Sequence, residues 1–330
     1  MFFTFFKSVI MDLYINGASS ISAFNSQQRL RVENADRFTC IEPDYKLIID
    51  PRQLRRMSRV MCMSLASAIK TLEVANGQVP QAVITATGLG CLDDTGNFLV
   101  KMCDPDNRMM NPTAFIQSIH NTMGGQIAMY LKSNCYNNTF TQDVLSFEHA
   151  LLDTIMLLEE GTIESVLLGG IDELTELKHE LTSRLFKAQK ESEGYFGQGE
   201  GSAFFSISGM MSKVKLENLI LSQDVKHADI TDYVSNHLAS KGKTLILSGK
   251  CGGNSDEAYK LTELIIGTKP TIEYKKYCGD YPTSCAFATW LASEVLKQNV
   301  VFDAMPQPEH VLIYHAYPDR PHTLIHLSVC

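Results

Sequence analysis

The chain has no CxxC pair. Its nine cysteines, at positions 40, 62, 91, 103, 135, 251, 278, 285 and 330, are odd in number and scattered. That argues against a disulfide framework and against a structural zinc site, and it reads as a reduced, cytosolic pattern. No stretch approaches the roughly 20 apolar residues that span a bilayer. The apolar opening MFFTFFKSVI has no basic segment before it and no cleavage pattern after it. There is no excess of positive charge: 29 Lys and Arg against 37 Asp and Glu leave a net charge of −8, which argues against generic nucleic-acid binding. There is no GxGxxG and no GK[ST]. The glycines of Thr87-Gly-Leu-Gly90, after a strand-like run, invite a phosphate-loop reading, and that pattern is weak.

What is present is a globular chain of 330 residues, 45% hydrophobic and 20% charged, long enough for one large domain or two fused halves. The most informative stretch is 138–170. Val144, Leu145, Phe147, Leu151, Ile155 and Leu158 recur at helical spacing; Thr141 or Asp143 can cap the start and Gly161 the end. Val166-Leu-Leu168 then forms a continuous apolar strand closing on Gly169-Gly170, as expected for a strand covered on both faces. Before it, the pattern predicts a first strand over 12–16, with residues 1–10 as an extension or misplaced start. A helix over 51–73, a strand over 82–86 and a helix running from 111 to 127 follow. After it come a charged, exposed helix over 174–190 and a strand over 204–207. A second half begins near 208, with a strand at 244–248, a glycine-rich loop at 249–256, helices at 257–266 and 283–297, and closing strands at 311–314 and 323–329. Strands alternate with helices, so the class is α/β.

Five segments, in order, carry a resemblance: Arg55-Arg-Met57, Thr87-Gly-Leu-Gly-Cys-Leu-Asp-Asp-Thr95, the run from Pro112-Thr-Ala-Phe-Ile116 to His120-Asn-Thr-Met-Gly-Gly-Gln-Ile-Ala128, Val166-Leu-Leu-Gly-Gly-Ile-Asp-Glu173 and Gly199-Glu-Gly-Ser-Ala203. Together they resemble the β-ketoacyl synthases of the thiolase-like superfamily. Ser146-Phe-Glu-His-Ala-Leu-Leu-Asp153 is similar to a segment of the chain-length-factor-like branch found in aryl polyene and flexirubin-type clusters. The resemblance implies a five-layer α-β-α-β-α fold in one compact unit. Residues 11–207 and a shortened 208–330 would be its two similar halves. It also implies a dimer, a ketosynthase or a second copy as partner, an acyl carrier protein, a cytoplasmic place in fatty acid or polyketide-type biosynthesis, no cofactor and no metal.

The same resemblance locates the chemistry. An active ketosynthase needs a cysteine at the start of the central helix, where the helix dipole favours the thiolate. It also needs two histidines for decarboxylation and oxyanion stabilisation, and an orienting lysine. Counting back from Gly161 puts the nucleophile at Val144, and counting back from Glu173 puts it at Leu145. Ser146 is adjacent, but reads as a helix-start residue bonding to backbone. The histidine positions fall at Ser248 and Asp280; Lys275 and Gly279 match, and Tyr314-His-Ala-Tyr-Pro318 replaces the glycine-rich gate. Nucleophile and both histidines are therefore missing together. The reading is a catalytically degenerate subunit that completes a partner ketosynthase's acyl tunnel, with Phe115, Met123, Met129 and Phe140 as tunnel or interface residues. Arg52, Arg55, Arg56 and Arg59 would dock the carrier protein. Two alternatives stay open: an acyltransferase with Cys278 or Cys251 as relocated nucleophile, and a homodimer that only binds acyl chains or carrier protein. His120 and Asp172 suggest catalysis in isolation, but are read as satisfying internal hydrogen bonds.

Overall fold

Side-chain alternation along the strands decides the architecture. In the computed structural model the described residues are 5–24, 36–104, 112–185, 197–222, 230, 232–234, 243–251, 259, 269–302, 307–316 and 320–330. Strands β1 (Phe5–Ile21), β3 (Ala82–Ala86), β4 (Tyr136–Phe140), β5 (Ser165–Asp172) and β7 (Gly201–Ser208) form one half of a ten-stranded sheet. Strands β8 (Val214–Ser222), β9 (Thr244–Ser248), β10 (Thr271–Glu273), β11 (His310–His315) and β12 (His322–Val329) form the other, while β2 (Arg37–Phe38) pairs apart with β6 (Gln198–Gly199). The order is β10-β9-β11-β12-β8-β1-β7-β5-β3-β4. Counted outward from the centre, each half runs through its first, fifth, fourth, second and third strand. In each, the second strand lies parallel to the third and fourth, and the fifth is antiparallel to the fourth. The halves meet where β1 pairs antiparallel with β8.

Because neighbouring side chains on a strand face opposite ways, each half feeds two cores. Val166 and Leu168 of β5 join the central core, whereas Leu167 and Ile171 face an outer core with Val60, Met63 and Leu65. Val311 and Ile313 of β11 join the same central core, whereas Leu312 and Tyr314 face a third core with Ile230, Tyr233 and Tyr259. Helix α6 (Ser146–Glu159) and helix α9 (Ser284–Leu296) supply Phe147, Leu151, Ile155, Phe287 and Leu291 to the centre. Helices α2 (Arg59–Val74) and α5 (Thr122–Leu131) cover the outer face of the first half. This is the thiolase-like α/β layering.

Several boundaries differ from the sequence expectation, each for a local reason. The first strand starts at Phe5 rather than residue 12: Phe5 to Ser8 pair with Leu221 to Asn218, and a register shift follows before Leu13. Residues 5–10 are thus part of the sheet and not an extension before it. The helix expected over 51–73 divides into α1 (Pro51–Leu54), capped by Asp50 accepting from Arg52 N at 2.7 Å, and α2, which begins after Ser58. The Arg55-Arg-Met57 segment lies in the turn between them. The helix expected over 111–127 divides into α4 (Pro112–Gln117) and α5. There the Ser118 and Thr122 hydroxyls donate to the Phe115 and Ile116 carbonyls at 2.8 and 2.6 Å, taking acceptors a continuing helix would use. The run after β3 forms helix α3 (Leu92–Cys103), with no phosphate-loop geometry expected of it. Neither Thr141 nor Asp143 caps α6; a 3-10 turn over Asp143–Leu145 leads into it, with Asp143 at φ 54°. Helix α7 spans Glu176–Leu185. Residues 174 and 175 precede it outside the helix, while 186–190, most of the 249–256 loop and most of the 257–266 helix lie outside the described residues. Among the described residues no helix is long and apolar enough to cross a membrane.

Asp172, at the end of β5 and 1% exposed, ties the halves together. Its Oδ1 accepts from Thr87 Oγ1, Gly88 N and Leu89 N at 3.1, 2.9 and 3.2 Å, in the loop after β3. Its Oδ2 accepts from Thr283 N and Oγ1 at 2.9 and 2.8 Å, where α9 begins. Removing it would leave several buried donors without an acceptor. Asp172→Ala is therefore expected to cost at least about 3 kcal/mol, measured as a lower urea midpoint; a midpoint unchanged from the parent would refute this role.

Candidate functional site

The positions expected to carry chemistry lie in the turn leading into α6, at the end of β9 and just after β10. Helix α8 (Lys275–Cys278) and the turn after it hold Lys275 and Asp280. This turn is clamped against β6. Gly199 N donates to Asp280 O at 3.0 Å, and Asp280 N donates to Gly197 O at 2.9 Å. A Cβ on Gly199 would stand 2.0 Å from Cys278 O, and Gly279 has φ 74°, so both glycines are required by close approach. Lys275 is fully buried, and its Nζ pairs with Asp280 Oδ1 at 2.7 Å. The buried lysine is thus neutralised by Asp280. Ser248 closes β9 opposite Glu273; its backbone carbonyl accepts from Tyr274 N at 3.1 Å.

Val144 and Leu145 stand in the 3-10 turn leading into α6, with Leu145 buried. Neither side chain can be acylated. Ser146 is fully buried, and its Oγ contacts Thr87 O and Asp143 O at 3.0 and 2.7 Å. It closes the turn and fastens α6 to the loop after β3. Cys278 is fully buried, its Sγ 3.3 Å from Gly279 O, and burial pushes its thiol well above the ordinary value. A thiol held protonated in this way is a poor nucleophile. Cys251 is also buried.

Sequence reasoning missed the polar group at the heart of this region. Glu148, in the first turn of α6, is fully buried. His315 Nδ1 lies 3.2 Å from Glu148 Oε1, and Thr323 Oγ1 donates to the same oxygen at 3.3 Å. Cys285, in the first turn of α9, faces the same carboxylate; burial, and then Glu148, raise its thiol. Burial, and then the charge of Lys275, push the His315 imidazole down, against the pull of Glu148. One signal was available: Glu148, Leu151 and Ile155 share one helical stripe, so an acid sits on the apolar face. Nothing in the spacing of positions 148, 285 and 315 joins them.

The proposed docking arginines divide. Arg59 is committed to the interior: its guanidinium binds Glu200 at 2.5 and 2.7 Å and Glu42 at 2.5 Å. Burial would push the Glu200 carboxyl up, but these bonds, with Cys40 N and Leu174 N, hold it below its usual range. Arg52, Arg55 and Arg56 are exposed; Arg52 and Arg56 line a groove of about 470 Å³ with Ile116, Gln117, Gln126 and Met129. The four tunnel candidates are not gathered in one place. Phe115 and Met129 are exposed on α4 and α5, Met123 is fully buried in the outer core, and Phe140 packs against the central core at the end of β4. His120 is exposed in the turn between α4 and α5, not inside the domain.

Glu173, just after Asp172, caps α3: its Oε1 accepts from Asp93 N at 3.0 Å. Burial, opposed by the bond from Asp93 N and by Arg59 but aided by the carboxylates of Asp93 and Asp94, raises its carboxyl to about 7. The folded state therefore binds this proton more tightly than the unfolded chain. That stability is fully present below the ordinary glutamate range and is lost as pH rises through about 7. Glu173→Gln keeps the acceptor and removes the titration. It is expected to flatten the fall in stability between about pH 5 and 8, by up to about 3 kcal/mol. Denaturant curves at several pH values test this; parallel pH profiles for parent and variant would refute it.

Comparison with known proteins agrees with this geometry. Residues 35–183 match the family described as Beta-ketoacyl synthase, N-terminal domain. No curated protein matches the sequence. Among solved structures, the chain is similar to the ishigamide ketosynthase/chain length factor, at a TM-score of 0.75 and 14% identity over 97% of this chain and 99% of that one. It is likewise similar to the complex of the ketosynthase ApeO with its chain length factor ApeC from Xenorhabdus doucetiae, at a TM-score of 0.70 and 14% identity over 97% and 98%. A third likeness is to a type II polyketide synthase acyl-carrier protein in complex with its ketosynthase (AntDE:AntF), at 0.75 and 14% over 97% and 99%. Residues 35–183 are thus similar to the N-terminal domain of β-ketoacyl synthases, and the chain as a whole has the fold of these ketosynthase and chain length factor structures.

Proposed function

We propose that this chain is a chain-length-factor-like subunit without condensing activity of its own, which supports a catalytic ketosynthase in polyketide-type, aryl-polyene-class biosynthesis. The observation that carries the reading is the joint replacement of the reactive set. Val144 and Leu145 stand at the start of α6, Ser248 at the end of β9, and Asp280 against Lys275 at 2.7 Å. An acid beside the lysine cancels the positive charge a developing oxyanion would need. The relocated-cysteine alternative is weakened at Cys278, whose thiol is held protonated by burial.

An interaction surface supports the partner half of the reading. Strand β4 ends the sheet order, and near it Leu99, Val100, Phe115, Ile116, Met129 and Tyr136 are exposed. So many large apolar side chains on one side suit a protein interface, and the resemblance places the dimer contact on this same segment. A ketosynthase subunit is the partner proposed, with a second copy of this chain as the competing outcome. Arg52, Arg55 and Arg56 beside the groove suit an acidic carrier protein, a local positive patch on a chain of net charge −8.

The test is incubation with acyl and malonyl carrier protein, alone and with a ketosynthase encoded beside it, followed by intact mass. Product only in the mixture, with no adduct on this chain, is expected. An adduct here that disappears in Cys278→Ala or Cys251→Ala would overturn the reading. Within the complex, trimming Phe115, Met123, Met129 or Phe140 to alanine is expected to lengthen the product. The same product distribution in all four would remove the tunnel role. Arg52→Glu with Arg56→Glu is expected to weaken carrier binding about tenfold, with lower salt dependence.

A further inference from the structure

Glu148, Cys285 and His315 are the one group of metal-capable side chains found together among the described residues. They come from α6, α9 and the end of β11, and are 0%, 0% and 1% exposed. A donor atom from each lies within 4.8 Å of the other two. Tetrahedral zinc holds nitrogen, oxygen and sulfur donors at about 2.0–2.3 Å, which sets them about 3.3–3.8 Å apart. The cluster is therefore within about 1 Å of that geometry. The Glu148–His315 pair, at 3.2 Å, lies just below the short end of that range. The other carboxylate oxygen, Glu148 Oε2, is fully buried and meets no nitrogen or oxygen donor; only the Cys285 thiol, a weak donor, faces this carboxylate. A buried acceptor held so weakly is costly unless something cationic meets it.

We propose that Glu148, Cys285 and His315 bind a divalent cation of the zinc class in the middle of the molecule. The donor set is mixed and borderline-soft, which excludes calcium and magnesium as preferred ions. Binding breaks the Cys285 S–H bond, forms a sulfur–metal bond and releases the proton to solvent; nothing is oxidised or reduced. Thiolate and carboxylate together balance the charge of the ion. The nearby Lys275 ammonium would oppose it, but Asp280 meets that charge at 2.7 Å. Thr323 Oγ1, donating to Glu148 Oε1 at 3.3 Å, orients the carboxylate as outer partners of metal ligands do. Gly249 keeps the imidazole's seat open, since a Cβ there would lie 2.7 Å from His315 Cδ2. Because α6 belongs to the first half and α9 and β11 to the second, the ion joins the two halves. The expectation of no metal rested on local ligand spacing, and this site has none. It does not depend on the proposed function.

The test uses the full chain, stripped with a chelator and carrying Cys103→Ser and Cys330→Ser to remove its exposed thiols. It is titrated with cobalt(II) and then zinc(II). One equivalent of cobalt with a thiolate charge-transfer band and tetrahedral visible bands is expected. Zinc should displace the cobalt and raise the melting temperature. Cys285→Ser should lose the charge-transfer band. Glu148→Gln, which keeps the side-chain volume, should weaken zinc binding by more than the about 10–100-fold that loss of an outer partner costs. Absence of saturable binding in the parent overturns the site. So does a charge-transfer band that survives Cys285→Ser, or a folded Glu148→Gln variant that binds zinc as tightly as the parent. Should Cys285→Ser fail to fold, the parent's spectrum and the Glu148→Gln titration decide between these outcomes.

Discussion

The carboxylate of Asp172 is the constraint on which the arrangement depends. It is the last residue of a strand covered on both faces, and it accepts five hydrogen bonds from two segments more than a hundred residues apart. One oxygen organises the loop after β3. The other meets the first turn of α9, where backbone N–H groups lack helical partners. A single buried charge thereby fixes the position of one central helix relative to the strand bearing the other half's core. Because α6 is fastened to the same loop through Ser146 Oγ and Thr87 O, both central helices are referred to one point. Everything between them inherits its geometry from that point, including Glu148 and Cys285.

Charge is distributed across this interior in closed sets. Lys275 faces Asp280, Arg59 faces Glu200 and Glu42, and Glu148 faces His315 and Thr323. Taking such groups out of water costs several kcal/mol each unless their partners are well placed. Lys275 is fully buried, and a buried ammonium needs a counter-charge more than it needs a neutral neighbour. Asp280 is thus the acid that lets the lysine persist in the interior.

Much of the fold was legible because its signals are local. The stripe of Val144, Leu145, Phe147, Leu151, Ile155 and Leu158 predicts α6, and all are buried except the half-buried Val144. The continuous apolar run before Gly169-Gly170 predicts β5, and Gly199 and Gly279 mark a backbone contact that any side chain would break. What failed were readings that depend on pairing at a distance. The early start of β1 is set by β8, some two hundred positions along the chain. Arg59 was read from its neighbours Arg52, Arg55 and Arg56 as part of a surface patch. Its partner Glu200 lies in a motif read only for its glycines. The helix breaks near Met57 and Ser118 turned on caps and hydroxyl contacts that periodicity does not register. The Glu148–His315–Cys285 group was invisible for the same reason, apart from the acid on an apolar stripe.

A protein interior often gains stability when buried ionisable residues give way to well-packed apolar ones. Where α6, α8 and α9 begin, this chain has largely not made that exchange. Val144 and Leu145 are apolar, yet Glu148, Lys275, Asp280, Cys285 and His315 all remain polar, and four of the five are at most 1% exposed. Packing alone does not require them, since leucine or methionine would fill comparable volumes at lower desolvation cost. Their persistence is coherent if removal of any one strands the others: Lys275 without Asp280 is a buried charge with no counterpart, and Glu148 without His315 is a buried polar group short of a partner. The interior of this chain is therefore held in its polar state by mutual dependence, and a change that makes it apolar has to alter several positions at once.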